Sequence, residues 1–156
     1  MNNYELLLNQ IYEEIPVIEL PLLERGLEGN YFDGVIFIDS SLPAFRKREI
    51  LSEEYAHYKT SVGTIINYNS TNSRKQELKA RSYSFELIVT LDDLIDCHKH
   101  RLTNVFECAE HLDLSVNVLK ESFKYFSSKF GISHSYKNYL FTFSDESVLI
   151  LDKKIS

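Results

Sequence analysis

Glu49–Gly63 reads EILSEEYAHYKTSVG, and its spacing governs how the rest of the chain must be arranged. At about 100° per residue, Glu53, Glu54, His57 and Tyr58 fall on the same arc as Ile50 and Leu51. A helix that turns two adjacent acids and an imidazole toward its oily side must give them a partner, because burying an unpaired charge is costly. A metal ion is one such partner. In the H-E-x-x-H arrangement of zinc hydrolases, histidines at i and i+4 point the same way and the intervening glutamate acts as base. Here the frame is Glu53-Glu54-Tyr55-Ala56-His57, with glutamate in place of the first histidine. A carboxylate also ligates zinc, at about 2.0–2.2 Å, so the frame stays chemically usable.

A third ligand has to come from another element. Glu77 lies on the next predicted helix, within RKQELKARSYSF at Arg74–Phe85. Its stripe continues through Ala80, Arg81, Ser84 and Phe85, and the small residues at 80 and 84 permit a close approach to the first helix. The set that results is Glu53, His57 and Glu77 as zinc ligands, Glu54 as base, and a water in the fourth position. Glu77 also stands at i−4 from Arg81, which allows an ordinary surface ion pair instead.

Working outward, Asn30–Asp39 (NYFDGVIFID) predicts two strands around a tight Asp33-Gly34 turn. Ser41 and Pro43 announce the start of the metal helix, which should run to about Thr60. Upstream, Tyr4, Leu7, Leu8 and Ile11 have the spacing of a short helix, and the two prolines of IPVIELPL mark an extended segment unsuited to a central strand. Downstream, Asn67–Ser73 reads as a loop, and Ser73 with Gln76 forms a capping-box signature for the Glu77 helix. Three shorter helices follow, in LDDLIDCHKH, TNVFECAEH and SVNVLKESFKYFSSKFG, the last starting at Ser115 and stopped by Gly131. YKNYLFTF and SVLILD predict two final strands joined at Ser144–Glu146. The expected fold is a single α+β domain over 1–156, dominated by helices. Residues 1–90 would carry a small N-terminal sheet or hairpin and the metal helix, 91–131 a helical segment, and 132–156 a C-terminal hairpin.

Composition narrows the function. The chain has 156 residues, of which 44 % are apolar, enough for one globular core. Its net charge of −6 disfavours direct nucleic-acid binding, which needs a basic face. No apolar run reaches the length of a membrane span, and the first fourteen residues, with two glutamates together at 13 and 14 and no basic residue, do not resemble a signal peptide. Cys97 and Cys108 are too few for a disulfide framework. A cytoplasmic protein is the expectation.

Lys47–Gly63 (KREILSEEYAHYKTSVG), Asn72–Phe85 (NSRKQELKARSYSF) and Leu91–Ile95 (LDDLI) together resemble the ImmA/IrrE family of metallo-endopeptidases, particularly members encoded by phages and integrative elements. The resemblance covers roughly Leu20 to Gly131. It maps the family's metal histidine to His57, its base to Glu54 and its downstream ligand glutamate to Glu77; Glu53 departs from the full motif. It implies an anti-repressor: a zinc protease that cleaves a helix-turn-helix repressor so that the element's genes are switched on. The alternative is a protein of the same fold that sequesters the repressor without cutting it.

Other motifs have plainer readings. Cys97 and His100 in DCHKH could share a metal, but no second pair stands at zinc-finger spacing, and an exposed helix end accounts for them. Glu107 and His111 repeat the spacing of Glu53 and His57, yet a di-iron site would need acids from two further bundle helices. The stretch from Thr103 to Phe126 has the cadence of a helix-turn-helix. Its second helix offers Asn117, Lys120 and Lys124 alongside Glu121, which suits a structural pair or a docking surface better than a DNA reader.

Overall fold

The computed structural model describes residues 1–61 and 70–154. The chain is a helix-dominated α+β protein whose contacts divide into two compact units, Met1–Ile88 and Val89–Ser156.

The first unit is built around β3 (Val35–Asp39), the middle strand of a three-stranded sheet. Ile36 and Ile38 are fully buried on one face of β3, as the twofold alternation of a strand requires. β2 (Gly29–Phe32) pairs antiparallel with β3 through Phe32 and Val35, leaving Asp33 and Gly34 as a two-residue turn. Both turn residues have positive φ, +50° and +77°, the conformation for which Asp-Gly is suited. β1 (Val17–Leu20) runs parallel to β3 on the opposite edge, where the neighbouring prolines do no harm. α1 (Asn3–Tyr12) begins with a capping box between Asn2 and Glu5 and buries Tyr4, Leu7 and Ile11.

α2 (Ala44–Ser61) and α3 (Ser70–Ile88) complete this unit. They pack closely through small residues: Ser52, Ala56, Ala80 and Ser84 are all buried, and the Ser52 and Ser84 hydroxyls lie 2.8 Å apart. The far end of α2 is tied to the chain beyond α1, where the Tyr55 hydroxyl donates to Glu14 at 2.6 Å and Lys59 pairs with the same carboxylate. Of the loop expected over Asn67–Ser73, residues 67–69 lie outside the described residues, while α3 is already helical from Ser70. The helix therefore starts three residues before the serine read as its cap. A run of Ser, Thr and Asn favours turns in isolation, which is why the sequence placed the helix start later.

Gly29 sets how near β2 comes to α2. A Cβ at this position would overlap Ile50 Cγ2 and lie 3.2 Å from the Phe37 carbonyl and 3.4 Å from Glu54 Cγ. Gly29→Ala should therefore cost about 1–3 kcal/mol through overpacking, read as a lower urea midpoint. An unchanged midpoint would mean that the strand is not held against the helix as described.

The second unit contains α4 (Leu91–Lys99), α5 (Val105–Leu112), α6 (Val116–Phe130) and the strands β4 (His134–Tyr136), β5 (Tyr139–Phe143) and β6 (Val148–Asp152). α4 opens on a capping box of Thr90 and Asp93, and Asn104 caps α5. α6 ends at Gly131, whose φ is +75°. Leu119, Phe123 and Phe126 of α6 are buried, as are Phe141 and Phe143 of β5, and the Phe126 and Phe143 rings are 5.3 Å apart. The expected C-terminal hairpin is a three-stranded meander in the order β4-β5-β6. YKNYLFTF is not one strand: Lys137 takes φ +54° and the chain reverses between the paired Tyr136 and Tyr139.

Candidate metal centre

Residues of α2, the first turns of α3 and the β2–β3 turn enclose a cleft of about 560 Å³, whose lining includes Tyr31, Phe32, Glu54, His57, Gln76 and Glu77. Helical spacing presents Glu54 and His57 to the cleft from one helix. The close α2–α3 packing just described brings Glu77 opposite them, with its Oε2 3.7 Å from His57 Nε2. Both partners keep solvent contact, their side chains being 37 % and 58 % exposed.

Glu54 is the chemically unusual group. Its carboxyl is pushed up to about 7, chiefly by burial and further by the negative charges of Glu53 and Glu77. A hydrogen bond from the Tyr31 main-chain N–H pulls in the other direction. Burial and like charge both disfavour the ionised form, so this carboxyl can exchange a proton near neutral pH. Glu53 is also pushed above the ordinary carboxylate range by burial, against the attraction of Arg46 and Arg81.

The four residues read from the sequence thus fall in two places. Glu54, His57 and Glu77 line one cleft, whereas Glu53 is not among its lining residues and sits in the field of Arg46 and Arg81. Glu53 and His57 stand one turn apart on α2.

Two features escaped the sequence reading. Arg46 donates from Nε and Nη2 to both oxygens of Glu28, at 2.9 and 2.8 Å, and from Nη1 to Glu49 at 2.9 Å. Glu49 is 1 % exposed, so a buried acid is held by a guanidinium fork one turn before Glu53 on α2. The i,i+3 spacing of Arg46 and Glu49 was the available signal. The second feature is in the other unit. Among the described residues, a group of three, Asp96, His100 and His111, brings one ligating atom from each residue to within 4.8 Å of the others. DCHKH and ECAEH each drew notice on their own; only the packing of α4 on α5 joins them.

A family model described as the IrrE N-terminal-like domain, Peptidase M78, matches residues 12–124. No curated protein and no solved structure matches the chain. No helix of the described residues is long and apolar enough to cross a membrane.

Proposed function

Since the chain belongs to the IrrE N-terminal-like Peptidase M78 family, as its helix motifs implied, we propose that it is a zinc-dependent endopeptidase. We further propose that it acts in the cytoplasm on a helix-turn-helix repressor of a phage or mobile element, relieving repression by cleavage. The observation that carries this reading is the convergence on one cleft of His57, Glu77 and a half-buried Glu54 whose carboxyl is pushed up to about 7.

The donor chemistry fits zinc. Imidazole and carboxylate are both zinc ligands, and two of them bound to a tetrahedral ion at about 2.0–2.1 Å stand about 3.3 Å apart, close to the 3.7 Å between His57 and Glu77. His57 and Glu77 would hold the ion, with Glu53 supplying the third ligand after its side chain turns from the arginines. A cation here would also offset the cost of the desolvated acids. When bound, zinc would polarise the scissile carbonyl and make water a better nucleophile.

The other steps fall to the chain itself. The Glu54 carboxylate takes a proton from the attacking water at Oε and later delivers it to the amine nitrogen leaving the cut peptide. Tyr31 and its β2 neighbours form the wall of the cleft beside Glu54, where an extended substrate segment would lie. Glu28, Arg46 and Glu49 fix the helix that carries the base.

The placement of Glu53 beside Arg46 and Arg81 favours one second reading, a weakened site in a protein that sequesters the repressor intact. Metal content and repressor integrity, measured on one preparation, separate the two. Cleavage into one clean fragment pair, lost on chelation and in His57→Ala, supports the protease. His57→Ala should lose one equivalent of metal while keeping its helical content, and metal stoichiometry unmoved by that substitution overturns the assigned site. A stable complex with uncut repressor supports sequestration.

Restoring the full motif tests Glu53 directly. Glu53→His should tighten zinc binding, because it adds a neutral imidazole and removes an anion from a crowded acidic site. Zinc binding unchanged or weaker in a titration would exclude Glu53 as a ligand and leave Glu54 as the candidate in its place.

A further inference from the structure

We infer that Asp96, His100 and His111 form a second site for a divalent transition-metal ion of the zinc class, one that clasps α4 to α5. This site is separate from the Glu54 cleft and does not depend on the function proposed for that cleft.

The three residues are brought together by the fold. Asp96 lies in the last turns of α4, His100 is the residue that ends that helix, and His111 comes from the last turn of α5. His111 Nε2 is 2.7 Å from Asp96 Oδ2, and His100 Nδ1 is 3.5 Å from Asp96 Oδ1. The two imidazole rings are 4.6 Å apart, centre to centre, at a 43° tilt. Bonds of about 2.0–2.1 Å around a tetrahedral ion place ligand atoms about 3.3 Å apart; one ligating atom from each residue already lies within 4.8 Å of the others, and rotation of the exposed side chains, turning His100 Nε2 rather than Nδ1 toward the ion, would close the set.

Each part of the cluster is prepared for ligation. His100 Nδ1 lies 2.8 Å from the main-chain carbonyl of Asp96, a contact in which Nδ1–H donates and the lone pair is left on Nε2. Ligand histidines are held in this way by their second nitrogen. The 2.7 Å contact with His111 Nε2 fixes the Asp96 carboxylate beside the two rings. The supports are stiff: Cys97 and Cys108 are buried in mutual contact beneath the pair of helices, and the Leu102 N–H closes α4 on the Cys97 carbonyl at 3.2 Å.

The donor types choose the ion. Two imidazoles and one carboxylate suit zinc, cobalt, nickel or copper, while calcium and magnesium prefer all-oxygen sites. A histidine–aspartate hydrogen bond holds His111 and the Asp96 main-chain carbonyl holds His100; a shared cation would account for both imidazoles meeting at one carboxylate. Two protonated rings this close would repel each other; two neutral rings sharing a cation would not.

The test uses the full chain carrying His57→Ala and Glu77→Ala, so that the cleft no longer contributes, and titrates it with cobalt(II) followed by visible absorbance. One equivalent should bind. Adding His100→Gln or His111→Gln should each weaken that binding at least tenfold, in the range seen when such sites are disturbed. No cobalt binding in the parent, or binding unmoved by both glutamine variants, overturns the proposal. If the parent variant does not fold, nickel(II) is titrated into the unaltered protein while the histidine ring protons are followed by NMR. Selective broadening of His100 and His111 together supports the site; broadening of neither overturns it.

Discussion

Glu54→Gln should reduce repressor cleavage by about 10² or more, the worth of a positioned general base, while the metal stays bound and the fold stays intact. The amide is nearly the size of the acid and keeps its place in the cleft, but it cannot take up a proton. The same substitution should stabilise the metal-free protein. The Glu54 carboxyl rises from 4.5 to about 7 on folding, so between these values the folded state binds more protons than the unfolded one. Folding stability therefore falls as pH rises through that window, and the full cost is present above pH 7. At about 1.4 kcal/mol per unit, glutamine should recover roughly 1–3 kcal/mol at pH 8 and almost nothing at pH 4. Urea midpoints of both proteins at the two pH values, alongside cleavage of the repressor, make the check. A variant that keeps its anti-repressor effect with metal bound would mean that no proton transfer is involved and that sequestration operates. Loss of metal would make Glu54 a ligand.

That opposition of activity and stability also explains how much of the site was legible. Acids on an oily arc violate the pattern that a stable helix follows, and such violations mark function. The convergence of Glu54, His57 and Glu77 on one cleft was readable because two share a helix and the third is followed by the small residues Ala80 and Ser84, which let its helix come close. The Asp33-Gly34 turn was readable because its backbone demands positive φ. Glu53 was harder to place. The arc from Glu53 to Leu51 is broad, and a helical wheel does not say which part faces the cleft and which faces arginines. Arg81, which draws on Glu53, comes from α3, so the answer depends on how the helices meet. β4 escaped for another reason: it is three residues long, too short for any alternation, and its turn uses Lys137 where glycine would have signalled it. The Asp96–His100–His111 group joins two helices, and no local pattern encodes that meeting.

The largest loss of stability is expected from Arg46→Ala. Arg46 holds Glu28 by two donors and Glu49 by a third, and the Glu49 side chain is 1 % exposed. Removing the guanidinium takes one cationic partner from a carboxylate that water cannot easily reach. Breaking such a buried pair costs about 3–5 kcal/mol. Arg46 is itself 27 % exposed and Glu28 40 %, so water entering from that side should hold the loss near the lower end, about 3 kcal/mol. Arg46→Lys should fall between, since an ammonium keeps the charge but cannot serve two carboxylates with one planar fork. Adding Glu49→Gln to Arg46→Ala should restore part of the loss, because a neutral amide is cheaper to leave without the cation, and the cycle of four proteins isolates the coupling. The pH response has a definite sign. The Arg46 hydrogen bond holds Glu28 below its ordinary value of 4.5, so that contribution is present above about 4.5 and fades as acid protonates the folded carboxylate. The gap between wild type and Arg46→Ala should therefore narrow on acidification. The effect also reaches Glu53: Arg46 is the larger of two positive charges restraining it, and without Arg46 that acid is driven further toward its neutral form. A loss below about 1 kcal/mol, the range of an exposed pair, would show that Glu49 is not held as a buried charge and that this end of α2 is secured by packing alone.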